Sequence, residues 1–94
     1  MANGTMKPER HFGAWENITL PYTADSDGFI YIYANPSSSS GGSAIVRVGD
    51  QPMGIVCPNG AGISNIMPIA KGASAILSSA SGVTVTARIF KVIG

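Results

Sequence analysis

At 94 residues and a formal net charge of +1, the chain is long enough for one domain with a modest core. It carries no run of like charge and so lacks the basic stripe that a nucleic-acid partner requires. Only 12% of residues are charged against 45% hydrophobic, about half the usual charged share, and a lone domain so poor in charge tends to associate.

Much of the surface is therefore expected to be occupied in a homo-oligomer. Cys57 is the single cysteine, which excludes an intrachain disulfide and is neutral on compartment. The longest apolar runs are too short to span a bilayer, and M-A-N-G-T-M-K-P-E-R-H-F lacks the apolar centre of a signal peptide. Neither a membrane partner nor ordinary secretion is expected.

Residues 1–16 read as an N-terminal arm, a flexible or attachment segment, with Phe12 and Trp15 docking it onto the domain or a neighbour. Residues 17–94 read as the β domain. Its expected strands are 17–21, 28–34, 43–48, 53–57, 64–69, 74–78 and 83–93, separated by D-S-D-G, N-P-S-S-S-S-G-G, G-D-Q-P, P-N-G-A-G, A-K-G and S-A-S-G. No helical template competes, because Gly, Pro or Ser interrupts each such window within two turns, whereas V-T-V-T-A-R-I-F-K-V-I alternates for most of its length.

The strand G-F-I-Y-I-Y-A is the clearest. Phe29, Tyr31 and Tyr33 point to one side, Ile30, Ile32 and Ala34 to the other, so both faces are apolar and both need cover. A second sheet can cover one, and a further layer or another copy of the chain the other. Gly49-Asp50-Gln51-Pro52 reads as a tight hairpin. The S-S-S-S-G-G loop is expected to be solvated and mobile. Pro68, which has no backbone N–H, places its strand at a sheet edge or bends it, and a bend is the favoured reading. Seven to eight short antiparallel strands at this spacing predict an all-β sandwich or jelly roll.

The residues that carry chemistry are few. His11 is the sole histidine and precedes every expected strand, so neither a Ser-His-Asp nor a Cys-His arrangement has a base to recruit. Among the acidic residues only Asp25-Ser26-Asp27 has the alternation of a calcium loop, and it lacks the downstream glutamate; turn hydrogen bonding is the plainer role. The glycines of P-N-G-A-G do not precede a helix, so no phosphate cradle is expected. Asn17-Ile18-Thr19 is a chance-level glycosylation match. No catalytic residue, cofactor or metal is expected. Trp15, Tyr22, Tyr31 and Tyr33 could stack on sugar rings, but packing in the core or an interface is favoured for Tyr31 and Tyr33.

Y-T-A-D-S-D-G-F-I-Y-I-Y-A, followed by S-A-I-V-R-V-G-D-Q-P-M-G-I-V, I-M-P-I-A-K-G-A-S-A and a terminal R-I-F-K-V-I-G, resembles the small β-structured tip domains of bacteriophage tail fibres and virion spikes. It is also similar to the trimeric jelly rolls of the complement-head and tumour-necrosis-factor type. The likeness covers roughly 17–94 and rests mostly on turn chemistry. Lys71-Gly72-Ala73 departs from the family's usual Lys-Gly-Asp, and only about sixteen residues stand where a fibre has a long shaft. The resemblance therefore implies either a tip fragment or a small stand-alone virion protein whose N-terminal arm attaches it to a larger particle.

What the resemblance implies is a homotrimeric, non-enzymatic virion structural protein, made in the bacterial host cytoplasm, that adheres to the host surface. Phe29, Tyr31, Tyr33 and Trp15 are the expected oligomer interface. Asn35, Ser38, Ser39 and Asn59 are the expected contacts to a host-surface glycan, and the arm is the expected link to other virion proteins. The alternatives are a capsid decoration or head-fibre protein, and a cellular carbohydrate-binding module.

Overall fold

The computed structural model describes residues 11–93, and these are all-β. Eight strands follow in order: β1 (His11–Ile18), β2 (Tyr22–Thr23), β3 (Gly28–Pro36), β4 (Gly42–Val48), β5 (Gln51–Cys57), β6 (Ile63–Ile69), β7 (Ser74–Ser81) and β8 (Val83–Ile93). They form two four-stranded sheets, β1-β8-β3-β6 and β2-β7-β4-β5, in which every pairing is antiparallel. The pairing is nested: first strand with last, second with seventh, third with sixth, fourth with fifth. The chain behaves as one long hairpin folded over on itself.

The two sheets enclose a single core. From the first come Ile30, Ile32, Ala34, Ile69, Ala87 and Ile89, and from the second Val46, Val48, Met53, Ile55, Cys57 and Ala75. Period-2 alternation accounts for the inward residues of β3, β4 and β5, where buried and more exposed positions alternate along each strand. Full burial of Ile30, Ile32, Ile55 and Ile89 stabilises the fold by about 1.5–3 kcal/mol each. The Cys57 thiol joins the layers, its Sγ lying 3.6 Å from the Ala34 carbonyl oxygen, to which it donates.

Several boundaries differ from those read in the sequence. Residues 11–16 belong to β1 and pair with β8, where an arm was expected. The register breaks between Phe12 and Trp15, so Gly13-Ala14 disrupts the alternation that would have marked a strand. The expected strand 17–21 instead holds the end of β1 and a cis Leu20–Pro21 peptide bond before the two-residue β2. Pro68 does not bend its strand. It sits on β6, an edge strand, in unbroken register with β3 opposite Phe29, a place that needs no donor on the outer side. Pro52 occupies the other sheet's edge in the same way.

The hairpin between β4 and β5 is a two-residue turn, Gly49 at φ 53° and Asp50 at φ 69°, closed by the Val48–Gln51 pair. Positive φ at both central residues matches the right-handed strand twist, which is why Gly and Asp stand there. The S-S-S-S-G-G loop is exposed but tethered. Ser37 N–H donates to the Gly82 carbonyl at 3.0 Å and Gly41 N–H to the Ser38 carbonyl at 3.1 Å.

Candidate functional site

The molecule has two unlike ends. At one, the β3–β4 loop, the β5–β6 loop and the Gly82 turn come together. A Cβ on Gly60 would lie 3.4 Å from the Ser39 Cα, and Gly41 backs onto the Cys57 carbonyl so closely that no side chain fits. Asn35, Ser38 and Ser39, from the end of β3 and the loop after it, and Asn59, from the β5–β6 loop, therefore lie together on one polar, exposed surface. Asn59 is locally engaged, its Oδ1 accepting the Ala61 N–H at 2.9 Å.

The opposite end is built from the turns carrying Asp25, Asp27, Gly49, Asp50 and Gly72. Asp27 ties it together: its Oδ1 accepts the Lys71 N–H at 2.9 Å and its carbonyl accepts the Val92 N–H at 2.9 Å. Asp25 instead faces Lys91, whose Nζ lies 3.2 Å from Oδ1 and 3.7 Å from Glu16 Oε1. The hydrogen bond to Asp25 holds the Lys91 ammonium above its ordinary pKa, and burial raises that of the neighbouring Tyr22 phenol. Backbone pairing of His11 with Ile93 puts both ends of the described residues at this end, opposite the Ser/Gly-rich loops.

Between the ends lie two outer sheet faces of different chemistry. On the β1-β8-β3-β6 sheet, register sets Trp15, Phe90, Phe29 and Pro68 in one row, Asn17, Arg88, Tyr31 and Ile66 in the next, and Thr86, Tyr33 and Ser64 in a third. Trp15 stacks on Phe90 with centroids 4.4 Å apart and planes at 15°, and meets Tyr31 edge-on at 5.5 Å. Phe29, Tyr31 and Tyr33 are consequently half-buried by the chain's own groups, so the second face of β3 is partly covered without a further layer. The expected interface residues Phe29, Tyr31, Tyr33 and Trp15 do share this one face.

Tyr31, Tyr33, Thr86 and Arg88 line an open concavity of about 290 Å³. The Tyr33 hydroxyl is lodged against Gly62, where a Cβ would overlap it, and Arg88 Nε donates to Asn17 Oδ1 at 3.1 Å. Both side chains are thus held in place.

The outer face of the β2-β7-β4-β5 sheet carries an aliphatic band among polar side chains, with Arg47 opposite Ile76, Ser79 opposite Ile45 and Ser43 opposite Val56. Ile76, Ile45 and Val56 form a diagonal band across β7, β4 and β5 and are 49%, 40% and 66% exposed, with Gly54 flat beside Ile45. A second, mostly apolar groove of about 310 Å³ opens between the sheets where β1 stops and β2 is short, lined by Ile18, Leu20, Leu77 and Val85 among others.

Arg88, Thr86 and the aliphatic band were not singled out in the sequence. Their signal was present: strict alternation in V-T-V-T-A-R-I-F puts Thr84, Thr86, Arg88 and Phe90 on one side, and in S-A-I-V-R-V it puts Ile45 outward. Which strands would neighbour them was not readable. Among the described residues no three His, Cys, Asp or Glu side chains gather as a metal site. Comparison with known proteins gives no matching family model, no matching curated protein and no matching solved structure.

Proposed function

We propose that the chain is a non-enzymatic virion structural protein of a bacteriophage, the adhesive tip of a tail fibre or spike. The observation that carries this reading is the two-ended build: both ends of the described residues at the Asp25/Asp27 end, and a polar cluster holding Asn35, Ser38, Ser39 and Asn59 at the other. An adhesin needs that polarity, with attachment behind and recognition in front. The nested pairing of β1–β8, β2–β7, β3–β6 and β4–β5 supports a jelly roll, the architecture that the resemblance implies.

Self-association, as a homotrimer, is assigned to the aliphatic face. Ile45, Val56 and Ile76 offer an exposed aliphatic band flanked by Ser43, Arg47 and Ser79, suited to an apolar contact with a polar surround. The aromatic face is already partly covered by its own rings, with Trp15 stacked on Phe90 and edge-on to Tyr31, which leaves less apolar surface for a partner. Turning the aliphatic band of each copy toward a threefold axis leaves the polar loop ends together at one pole.

Light scattering on the purified chain tests the assembly, and a panel of bacterial surface polysaccharides tests adhesion. A particle of three times the 9.6 kDa chain mass that is reduced to one by Val56→Asp, together with polysaccharide binding, is expected. A concentration-independent monomer that still binds sugar would replace the virion reading with a solitary carbohydrate-binding module.

A further inference from the structure

We infer that the Tyr31/Tyr33/Arg88/Thr86 concavity is a binding subsite for a carboxylated pyranose, a hexuronate unit of a surface polysaccharide. The inference rests on the adhesion reading and names the ligand class that the side of the tip would take. Three features of the concavity match that ligand.

First, it offers apolar ring faces. Tyr31 and Tyr33 stand two residues apart on β3 and so project from the same face at successive positions. Aromatic faces suit the C–H side of a pyranose, and their hydroxyls give a polar rim where a sugar's own hydroxyls can pair. Trp15 braces Tyr31 edge-on, and the seat against Gly62 fixes Tyr33, so little ordering is left for binding to impose.

Second, the concavity holds a cation aimed by its neighbours. Arg88 lies directly across from Tyr31 in register, and Thr86 across from Tyr33, which puts guanidinium and hydroxyl beside the rings. Asn17 accepts from Nε alone at 3.1 Å. The two terminal nitrogens have no partner among the described residues, and they form the planar fork that grips a carboxylate with two parallel hydrogen bonds. A neutral sugar would leave that fork unused.

Third, its place fits an extended chain of sugars. Asn35 follows Tyr33 by two residues on the same strand face, so the line Tyr31, Tyr33, Asn35 leads from the concavity to the polar loop end. The loop contacts already proposed for a glycan would continue along this line.

The test is titration of the full chain with oligosaccharides of galacturonate and of glucuronate, and with their neutral methyl esters, read by Trp15 fluorescence and by NMR of the Arg88 side chain. One or both acids should bind, the esters at least about tenfold more weakly, with affinity falling as salt is raised. Arg88→Gln should weaken acid binding about tenfold to a hundredfold, the range of a lost charge-assisted pair, with an unchanged thermal melt. Arg88→Lys, which keeps the charge but not the fork, should restore only part. Equal binding of acid and ester, wild-type affinity in Arg88→Gln, or no binding of either acid would overturn the subsite. Polysaccharide adhesion that persists in Arg88→Gln would leave the adhesin reading standing without this subsite. Hexuronate binding by a chain that adheres to no bacterial polysaccharide would do the reverse.

Discussion

The Tyr33 hydroxyl fills the space that a side chain on Gly62 would need, so the β5–β6 loop closes over the end of a ring on β3. Close approach, with no positive φ, is what demands glycine there. Gly62→Ala should therefore overpack the site and lower stability by about 1–3 kcal/mol, the usual cost of forcing extra volume into a filled contact. Thermal or denaturant unfolding measures it. Adding Tyr33→Phe, which removes the nearest overlapping atom but leaves two ring carbons close, should recover only part of the loss; a Gly62→Ala protein as stable as the wild type would refute the contact.

Trp15 anchors the edge strand β1 through its stack on Phe90, although it is 43% exposed. Trp15→Ala should cost about 1–2 kcal/mol, combining an aromatic pair with partial apolar burial. Because Trp15 pairs with Phe90 in the register of β1 on β8, hydrogen exchange should speed first along β1. Uniform acceleration through β3 and β8 would mean that the ring holds the whole sheet instead.

Strand β3 was legible because its alternation is unbroken and its caps, Asp27-Gly28 and Asn35-Pro36, are strong turn formers. The Gly49-Asp50 hairpin was legible for the same local reason. β1 was not, since Gly13-Ala14 shifts its register and only the partner β8 makes it a strand. Pro68 carried two meanings, and the edge position that decides between them belongs to the sheet order. The same limit hid the concavity: Tyr31 and Tyr33 announced a face, but Arg88 joins it only because β8 lies beside β3, some sixty residues along the chain. What makes β3's second face tolerable was equally non-local, since Trp15 and Phe90 cover it from two other strands.

The aliphatic band yields a prediction that separates association from folding. Val56 is 66% exposed on an edge strand, so Val56→Asp removes little buried area from the single chain and should change the stability of a monomer by less than about 0.5 kcal/mol. It should nonetheless abolish the oligomer, because a carboxylate in an apolar contact is strongly penalised. Light scattering and denaturant unfolding of the same samples give both quantities. An oligomer that survives Val56→Asp but dissociates on Tyr31→Asp would move the interface to the aromatic face.

Alkaline pH should weaken the fold through two neighbouring groups. The Lys91 ammonium is held above its ordinary value of 10.5, first by its hydrogen bond to Asp25, and the Tyr22 phenol is held above 10.0, chiefly by burial. A group that binds its proton more tightly when folded adds stability that is complete below its unfolded pKa and is lost as pH rises through the folded one. Both contributions are therefore intact at neutral pH and should fade above about pH 10. Asp25 and Glu16 are well exposed, so the Lys91 share is screened and should shrink in high salt, whereas the Tyr22 share, chiefly burial with a smaller part from the neighbouring charges, should shrink less. Denaturant midpoints from about pH 9 to about pH 11.5 should fall, less steeply in Tyr22→Phe and less salt-dependently in Lys91→Met. A midpoint that held constant or rose over that range would show that neither proton is bound more tightly in the folded state.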